Sequence, residues 1–530
     1  MSANTYPILI GGQWRTAESS ETFTATDPRT RQALPDVYPV SGWADLDAAL
    51  AAAAKAAAAL RAMPDVAERV ARFLEGYAAK IEASADALVA AAASETGLPA
   101  SPRLRDVELP RTTGQLRQAA AAAREGSWLR PTIDTKNNLR SCLAPIGPVL
   151  VIGPNNFPFA FNGIAGGDFA AAIAAGNPVV AKGHPLHPTT SRLLAEATHA
   201  ASTAAGLPAG TVQMVYHMPP EVGVRAIADP RLKAVAFTGS RAGGLKLKAA
   251  ADAAGKPFFG EMSSLNPTVL LPGALAEVGD GIADQYAASL LMGAGQFCTK
   301  PGLVLTTKGP AAEAFVNKVR DKLAAASAGV LFSAAGQASV CDAIGKLKAA
   351  GAELLVGGEA RADGGFGIAN ALLRTTAAKF LANAHAFQTE AFGSAGLVVV
   401  ADDVSQLVAV IGALEGNLTG AVYSAPSGAD DAAYDAVAAA LRPKVGRLIN
   451  DKMPTGVAVS PAMNHGGPYP ATSQPHFTAV GLPASILRFT QLESYDNVRP
   501  HRLPPCLGDK NPTGKLWRLI DGNWTQGGVS

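Results

Sequence analysis

Of the four cysteines in the chain, Cys298 has the most unusual surroundings, because it stands in the glycine-bracketed stretch G-A-G-Q-F-C-T-K-P-G at 293–302. A structural thiol usually lies in an apolar strand or helix, where it acts as a small hydrophobic group. A thiol on a glycine-rich turn instead has backbone N–H groups nearby and room for a ligand, as a nucleophile requires. Taken alone, Cys298 fits either role, so the rest of the chain must decide.

Polar residues also stand where apolar, β-branched runs end. Asn156 follows the run G-P-V-L-V-I-G-P, Lys182 ends N-P-V-V-A-K, and Glu261 ends an apolar run in F-F-G-E-M-S-S. Asn156 alone could be a turn residue, and Lys182 alone could be a solvated loop charge. A carboxylate such as Glu261 at the end of a buried strand must be paired or take part in chemistry.

The turn F-T-G-S at 237–240 opens a predicted helix with Gly243 and Gly244 in its first turn. Such a turn directs backbone N–H groups and the positive end of the helix at an anion, commonly a phosphate. It lacks both the Gly-Lys-Ser/Thr of an ATPase phosphate loop and the G-x-G-x-x-G dinucleotide fingerprint. Taken alone, it is a weak indication of a nucleotide site.

A metal site is not predicted. His184 and His187 have a ligand-like spacing, but Pro185 and Pro188 interrupt any helix there and no third ligand is evident. The cysteines are far apart and form no C-x-x-C pair, which argues against a zinc knot or a disulfide framework and favours a reducing cytoplasm.

Composition excludes several classes of protein. A formal net charge of +2 with 17% charged residues gives no general attraction to nucleic acid or anionic lipid. The N-terminal stretch M-S-A-N-T-Y-P has no basic segment followed by an apolar one, and charged residues interrupt the alanine-rich segments before they reach membrane-spanning length. We therefore expect a cytoplasmic protein without nucleic-acid or membrane partners.

Strands and helices alternate from about residue 147, which predicts an α/β fold with a parallel, doubly wound sheet whose ligands lie beyond the carboxyl ends of the strands. A helix after the second strand is expected to be capped by Thr189 or Thr190. After about Leu265 a second alternation begins, which predicts a second α/β domain. The strands predicted for the first sheet are 147–154, 177–182, 211–216, 232–237 and 257–261.

Six motifs occur together in an order and spacing typical of one family. They are P-x-N-F-P, V-V-x-K, F-T-G-S, G-E-M-S-S, G-Q-F-C-T and Q-T-E-A-F-G (388–393). The chain resembles the aldehyde dehydrogenase superfamily, from the first strands to about residue 500. The motifs G-Q-F-C-T, K-G-H-P-L-H-P-T-T-S and H-G-G-P-Y-P-A-T-S (465–473) are similar to the branch of α-ketoglutaric semialdehyde dehydrogenases and NADP-dependent long-chain aldehyde dehydrogenases.

The resemblance implies two Rossmann-type α/β domains and a small additional segment. The cofactor-binding domain would occupy residues 1–265, and the catalytic domain with the nucleophile 266–463. The tail, 464–530, is rich in Pro and Gly and is expected to serve oligomerisation or to wrap a neighbour rather than form its own core. A homodimer or homotetramer is expected for this superfamily.

By the same resemblance, Cys298 is the nucleophile that adds to the aldehyde carbon. The side-chain amide of Asn156 and the backbone N–H of Cys298 would hold the oxyanion. Glu261 would then activate water to release a free acid, which argues against a coenzyme-A-acylating relative. Retention of these residues also argues against a non-catalytic binding protein on the same fold.

The cofactor expected from the resemblance is NADP or NAD, with NADP slightly favoured. Many NAD-selective members have Glu three residues after the lysine that binds the adenosine ribose, and here that position is Pro185, beside His184. The missing carboxylate permits a 2′-phosphate. The residues that match cofactor-binding positions are Lys182, His184, Gly239, Ser240, Glu390 and Phe392.

The substrate is expected to be 2,5-dioxopentanoate, which would be oxidised to 2-oxoglutarate, and the alternative is a medium- or long-chain aliphatic aldehyde. Phe161, Ile164 and Phe297 are expected to line an apolar approach to the nucleophile. The stretch 157–169 contains no Lys or Arg, so an acidic substrate would need a cation from elsewhere, such as the H-G-G-P-Y segment or the tail.

Overall fold

The computed structural model describes residues 5–362 and 364–529. The first four residues, part of the N-terminal stretch without a predicted signal sequence, lie outside the described residues. Within the described residues, no helix is both long enough and apolar enough to cross a membrane.

The strands are β1 (Ile8–Ile10), β2 (Gln13–Arg15), β3 (Thr22–Asp27), β4 (Gln32–Pro39), β5 (Thr132–Asp134), β6 (Leu139–Pro145), β7 (Val149–Ile152), β8 (Val179–Lys182), β9 (Val212–Val215), β10 (Ala234–Thr238), β11 (Phe258–Glu261), β12 (Pro267–Leu270), β13 (Leu303–Thr307), β14 (Glu353–Val356), β15 (Ala371–Thr376), β16 (Ala395–Ala401), β17 (Asn417–Tyr423), β18 (Val445–Asn450), β19 (Thr490–Asp496), β20 (Arg518–Ile520) and β21 (Asn523–Thr525).

The α-helices are α1 (Trp43–Ala62), α2 (Val66–Ala83), α3 (Ala85–Thr96), α4 (Leu109–Glu125), α5 (Gly167–Ala174), α6 (Pro188–Ala204), α7 (Pro220–Ala228), α8 (Arg241–Ala253), α9 (Pro272–Leu291), α10 (Pro310–Ala325), α11 (Ala334–Ala349), α12 (Ala377–Ala382), α13 (Ala384–Phe387), α14 (Val404–Gly412) and α15 (Asp431–Leu441). A π-type segment, Ala100–Glu108, precedes α4. Short 3-10 turns lie at Ser127–Leu129, Met292–Gly295, Arg442–Lys444, Ala484–Phe489, Pro500–Arg502 and Pro505–Leu507.

The first large sheet has the strand order β11-β10-β7-β8-β9-β1-β2. Strands β7 to β11 are parallel, and β1 pairs antiparallel with β2 and β9. The central strand β7 is a fully buried apolar run, V-L-V-I, as expected where helices cover both faces. The winding reverses between β7 and β10, which is where ligands bind in open α/β sheets.

The second large sheet has the order β14-β15-β16-β13-β12-β17-β18 and is parallel except for the edge strand β14. Two hydrophobic cores cover its faces. The predicted α/β fold with two doubly wound sheets is therefore confirmed.

A short connection fixes how the two sheets meet. Strand β11 ends at Glu261 and β12 begins at Pro267. So short a connector spans at most about 20 Å, so the carboxyl end of the first sheet must lie next to the amino end of the second. Side chains from these two opposite ends therefore share one cleft.

Helix α6 does not start as the sequence suggested. The helix begins at Pro188, after His187, rather than at a threonine cap. The backbone N–H groups of Thr189 and Thr190 are bound instead by the carboxylate of Glu95, at 2.6 and 2.9 Å. A buried carboxylate on α3 thus performs the capping that a local hydroxyl was expected to provide.

The tail packs against its own chain. Strands β19, β20 and β21 join β5 and β6 in a five-stranded sheet of order β19-β6-β5-β20-β21. Cys142, Cys506, Leu507 and Leu516 belong to a small core beside this sheet. This shared core was not predicted from the sequence, because β19 pairs with β6, which lies more than 340 residues earlier in the chain.

Candidate active site

Cys298 lies on the loop between α9 and β13, at the amino end of the second sheet. The chain turns there through residues 293–295, all of which have positive φ. A Cβ atom on Gly295 would lie 2.1 Å from the carbonyl oxygen of Gly393. Only glycine allows this close approach to the loop before β16, so the glycines around the thiol have a structural cause.

Two buried side chains fix the loop that carries the thiol. The side-chain amide of Asn266 donates to the carbonyl oxygens of Cys298 at 2.8 Å and Lys300 at 2.9 Å. The ammonium group of Lys300 donates to three carbonyl oxygens of the loop 391–395, and burial lowers its pKa to about 8. The loop is therefore tied to both neighbouring strands.

Glu261 reaches the cleft from the first sheet, at the end of β11. Its side chain is buried, and neither carboxylate oxygen has a hydrogen-bond partner among the described residues. The imidazole of His465 lies between this carboxylate and the thiol, with Nε2 3.0 Å from Glu261 Oε1 and 3.6 Å from Cys298 Sγ. A thiol, an imidazole and a carboxylate therefore converge at one point.

His465 is held by close backbone packing of the H-G-G-P segment. A Cβ atom on Gly466 would lie 2.5 Å from the carbonyl oxygen of Phe477, and one on Gly467 would lie 2.2 Å from that of Asn417. The two glycines thus let the segment pass between other backbones and place the imidazole. The sequence analysis recognised the motif but gave His465 no contact with Cys298, because the two residues are 167 positions apart.

Asn156 follows β7 and lies beside the thiol loop. Its side-chain Nδ2 donates to the carbonyl oxygen of Gln296, 2.9 Å away, two residues before Cys298. The three residues predicted to be catalytic are therefore brought together: Asn156 and Glu261 come from the carboxyl edge of the first sheet, and Cys298 from the amino edge of the second.

The protein groups around Cys298 favour its protonated form. Burial raises the pKa of the thiol well above its usual value, and the negative charge of Glu261 raises it further. The guanidinium of Arg111 acts in the opposite direction. His465 Nε2 is the nitrogen in position to accept the proton, since it lies beside the sulfur.

Lys182 and His184 lie at the carboxyl end of β8. The Lys182 ammonium donates to the carbonyl oxygen of Gly183 at 3.0 Å, and burial lowers its pKa to about 8. The ring of His184 stacks on that of His187 at 5.3 Å. Burial, His187 and Lys182 lower the pKa of His184 well below its usual value.

Gly239 and Ser240 form the turn between β10 and α8. Ser240 Oγ accepts a hydrogen bond from the backbone N–H of Gly243, and the N–H of Gly239 donates to the carbonyl oxygen of Glu261 at 3.1 Å. The remaining first-turn N–H groups of α8 have no intrahelical partners. This positive helix end suits the pyrophosphate of a dinucleotide.

Glu390 and Phe392 lie on the loop before β16 and are both half-buried. Burial raises the pKa of the Glu390 carboxyl, and the nearby Lys300 opposes this. One pocket is lined both by Glu390 and by Arg241 at the start of α8. Glu390 therefore lies beside the start of α8, the helix that directly follows Gly239 and Ser240.

On the other side of the thiol loop lies a cavity of about 1080 Å³. Phe157 and Phe297 line it, and the ring of Phe157 contacts those of Phe161 and Phe297 at 5.2 and 5.3 Å. The prediction for Ile164 is wrong. Its side chain lies in the hydrophobic core of the first sheet, because its backbone is held inward by a hydrogen bond from the Tyr77 hydroxyl.

Two arginines of the segment before and at the start of α4 line this cavity. Arg103 is paired with the buried Glu108, whereas Nε and Nη2 of Arg111 are buried without any hydrogen-bond partner among the described residues. The guanidinium of Arg111 lies 5.2 Å from the centre of the Phe161 ring. The positively charged side chains described at this cavity are Arg103 and Arg111, whereas a cation was expected from the H-G-G-P-Y segment or the tail.

Comparison with known proteins agrees with this geometry. Residues 14–467 match the pattern of the aldehyde dehydrogenase family. An α-ketoglutaric semialdehyde dehydrogenase 2 of Azospirillum brasilense is 39% identical over 97% of this chain and 98% of its own length. An α-ketoglutaric semialdehyde dehydrogenase of Acinetobacter baylyi is 35% identical over 99% of this chain and 100% of its own length.

Solved structures share the fold. The NAD+ complex of an aldehyde dehydrogenase from Bacillus cereus superposes with a TM-score of 0.79 at 21% identity, covering 93% of this chain and 96% of that one. The matches span both large sheets and the cleft in which Cys298, Glu261 and Asn156 meet. Sequence pattern, overall fold and relatives agree, and the protein belongs to the aldehyde dehydrogenase family, whose members oxidise aldehydes with a nicotinamide dinucleotide.

Proposed function

We propose that this enzyme oxidises 2,5-dioxopentanoate, the semialdehyde of α-ketoglutarate, to 2-oxoglutarate. The observation that carries the proposal is the guanidinium of Arg111, which lines the cavity beside the thiol and whose buried Nε and Nη2 have no hydrogen-bond partner within residues 5–362 and 364–529. A carboxylate is the group best matched to such a fork of N–H donors. The names of the two relatives that align over nearly the whole chain also support this substrate.

In the proposed mechanism, Cys298 transfers its proton to His465 Nε2 and the thiolate adds to the aldehyde carbon. The resulting oxyanion accepts hydrogen bonds from the Asn156 side chain and the Cys298 backbone N–H, and each such donor typically contributes about 3–4 kcal/mol. Glu261 later activates the water that hydrolyses the thioester on Cys298. Its buried carboxylate, which has no hydrogen-bond partner in the part of the chain that the structure describes, supports a role as a base.

A bound nicotinamide dinucleotide would supply the hydride acceptor that oxidation of the aldehyde carbon requires. We propose that both NADP and NAD serve, with NADP slightly favoured, because Pro185 provides no carboxylate that would repel a 2′-phosphate. The chain residues proposed to hold the cofactor are Lys182, His184, Gly239, Ser240, Glu390 and Phe392.

The proposed division of labour places the cofactor on residues 1–265 and the nucleophile on 266–463, with 464–530 serving a homodimer or homotetramer. Exposed Leu492, Trp517 and Trp524 on or beside the five-stranded sheet support an interface there. The four unpaired cysteines support a cytoplasmic location.

A medium- or long-chain aliphatic aldehyde is the second candidate substrate. The observation in its favour is the cavity. Its volume of about 1080 Å³ is larger than a five-carbon semialdehyde requires, and its largely apolar lining suits an alkyl chain.

A substrate panel distinguishes the two candidates. The ratio kcat/KM would be measured for 2,5-dioxopentanoate, for pentanal as the uncharged aldehyde of equal chain length, and for decanal, each with NADP and with NAD. A charge-assisted hydrogen bond contributes about 1.5–3 kcal/mol, so the acidic semialdehyde is expected to be preferred over pentanal by about 10- to 100-fold. Preference for decanal over both five-carbon aldehydes would favour the second candidate.

A further inference from the structure

The three groups that meet at the reacting centre have the spacing of metal ligands. The sulfur of Cys298 lies 3.6 Å from His465 Nε2, which lies 3.0 Å from Glu261 Oε1. All three ligand atoms lie within 4.8 Å of one another. Tetrahedral zinc has bonds of about 2.3 Å to sulfur and about 2.0–2.1 Å to nitrogen, which put those two ligand atoms roughly 3.5–3.6 Å apart. The observed distance between Cys298 Sγ and His465 Nε2 therefore already fits a zinc ion bound by both atoms.

The carboxylate provides an independent indication of a ligand. Glu261 is only 5% exposed, and neither of its oxygens has a hydrogen-bond partner among the described residues. Burying such a group without a partner is unfavourable, and a cation at the point of convergence would remove that penalty. The imidazole beside it does not fill this role, because its contact with Oε1 lacks hydrogen-bond geometry.

The type and rigidity of the three ligands select the ion. Thiolate, imidazole and carboxylate together favour zinc over the hard cations Mg²⁺ and Ca²⁺, which prefer sets of oxygen ligands. Two of the ligands are also fixed: the Cys298 carbonyl is bound by Asn266, and His465 is placed by glycines packed against backbone. Little further ordering is then required on binding.

We propose that Cys298, His465 and Glu261 bind one Zn²⁺ ion per chain and that this ion reversibly inhibits the enzyme. On binding, the sulfur–hydrogen bond of Cys298 is broken, a sulfur–zinc bond forms, and the proton is released to solvent, with no change in oxidation state. The metal holds the sulfur lone pair that would attack the aldehyde, so zinc and aldehyde compete for the thiol. A fourth coordination position remains open to water.

The test measures metal binding directly, without turnover. Chelator-treated protein would be titrated with zinc chloride against a chromophoric zinc chelator, and separately with cobalt chloride in the near ultraviolet. One zinc ion per chain and a thiolate-to-cobalt charge-transfer band are expected. Cys298→Ser should abolish the band, and His465→Gln should weaken zinc binding at least about tenfold, as loss of a ligand requires.

Two other variants provide matched controls. Cys341→Ser removes a half-exposed thiol on α11, and His476→Gln removes an exposed imidazole 11 residues from His465. Both should retain the stoichiometry and affinity of the parent chain. Zinc binding that survives in Cys298→Ser and His465→Gln, or a cobalt complex without the charge-transfer band, would overturn the proposal. If His465→Gln does not fold, as judged by circular dichroism, the presence or absence of the charge-transfer band in Cys298→Ser decides between the two outcomes.

Discussion

The two large sheets have the same architecture, yet they contribute to the active site from opposite ends. In the first sheet, Asn156, Lys182 and Glu261 lie at the carboxyl ends of β7, β8 and β11. In the second sheet, the loops that carry Cys298 and Glu390 precede β13 and β16, at the amino ends of the strands. One cleft is thus built from two different edges.

The connection between the sheets explains this difference. Because only residues 262–266 separate β11 from β12, the carboxyl end of one sheet must face the amino end of the other. The rule that ligands lie beyond the carboxyl ends of parallel strands therefore applies to the sheet proposed to bind the dinucleotide. It does not locate the nucleophile, which was recognised only by its motif. Substitutions at the carboxyl edge of the first sheet and at the amino edge of the second can test whether the two edges have separate roles in the reaction.

The largest effect is expected at the carboxyl edge of the first sheet. Glu261→Gln keeps the size of the side chain but removes the base, so steady turnover should fall by about 10²- to 10⁴-fold while a burst of reduced cofactor remains. Rapid-mixing absorbance measurements would show both phases. The exposed Glu353→Gln serves as the control, and loss of the burst would show that Glu261 acts before the thioester forms.

The same variant should change the pH dependence of the thiol. Burial and Glu261 hold the pKa of Cys298 above its usual value, so little thiolate forms until the pH is high. Removing the negative charge of residue 261 lowers that pKa, and the rate of alkylation by iodoacetamide should rise at a lower pH than in the parent chain. If the pH profile of alkylation instead shifted to higher pH, the proposed electrostatic effect of Glu261 on Cys298 would be wrong.

Arg111 belongs to neither sheet and should affect the acidic substrate more than an uncharged aldehyde. Arg111→Met is expected to lower kcat/KM for 2,5-dioxopentanoate by about 10- to 100-fold, because the carboxylate loses a charge-assisted partner. The value for pentanal should fall less, because that aldehyde is affected only through the higher pKa of Cys298 once the guanidinium is gone. The exposed Arg117→Met, on the same helix, is the matched control. An equal loss of kcat/KM for both aldehydes would mean that Arg111 maintains the structure of the site and does not bind the substrate carboxylate.

Lys300 links the thiol loop to the loop that carries Glu390, and Lys300→Met removes the charged donor of three hydrogen bonds to carbonyl oxygens of the loop 391–395. We expect the free energy of unfolding to fall by about 1–3 kcal/mol, since buried hydrogen bonds from a charged group contribute about that much. Urea denaturation followed by tryptophan fluorescence would measure it. The exposed Lys379→Met should leave the midpoint nearly unchanged.

The ammonium of Lys300 also makes stability depend on pH. Burial lowers its pKa from 10.5 to about 8 in the folded chain, so the unfolded chain binds more protons between these two values. The contribution of Lys300 to the free energy of unfolding therefore rises with pH from about 8 to 10.5 and is constant below pH 8. Lys300→Met should remove this slope, and an unchanged slope would assign it to other groups.

The smallest effect is expected at the adenosine end of the first sheet. Pro185→Glu places a carboxylate where a 2′-phosphate would lie, so affinity for NADP should fall by about five- to tenfold more than affinity for NAD. Fluorescence titration with both cofactors would test this, with Pro185→Gln as the uncharged control. Equal losses would show that this position does not set the preference.

The sequence predicted one side of the site much better than the other. Local rules found Asn156, Lys182 and Glu261, because an apolar run followed by a polar residue identifies the end of a buried strand. The contact of His465 with Cys298 joins positions 167 residues apart, and the cavity beside Arg111 is closed by residues 292–297 and 456–459, so no local pattern encodes either. The prediction for Ile164 was wrong for a related reason. An apolar residue can line a cavity or lie in a core, and the sequence alone does not distinguish the two.

The packing of the H-G-G-P segment has a consequence for biosynthesis. His465 reaches the thiol only when residues 465–480 have passed between backbones of both sheets, and those residues leave the ribosome after nearly all the rest of the chain. A nascent or prematurely terminated polypeptide would therefore carry the reactive sulfur and the carboxylate but not the imidazole that accepts the proton. The thiol–imidazole pair is therefore a property of the completed fold, and a chain that ends before residue 465 cannot form it.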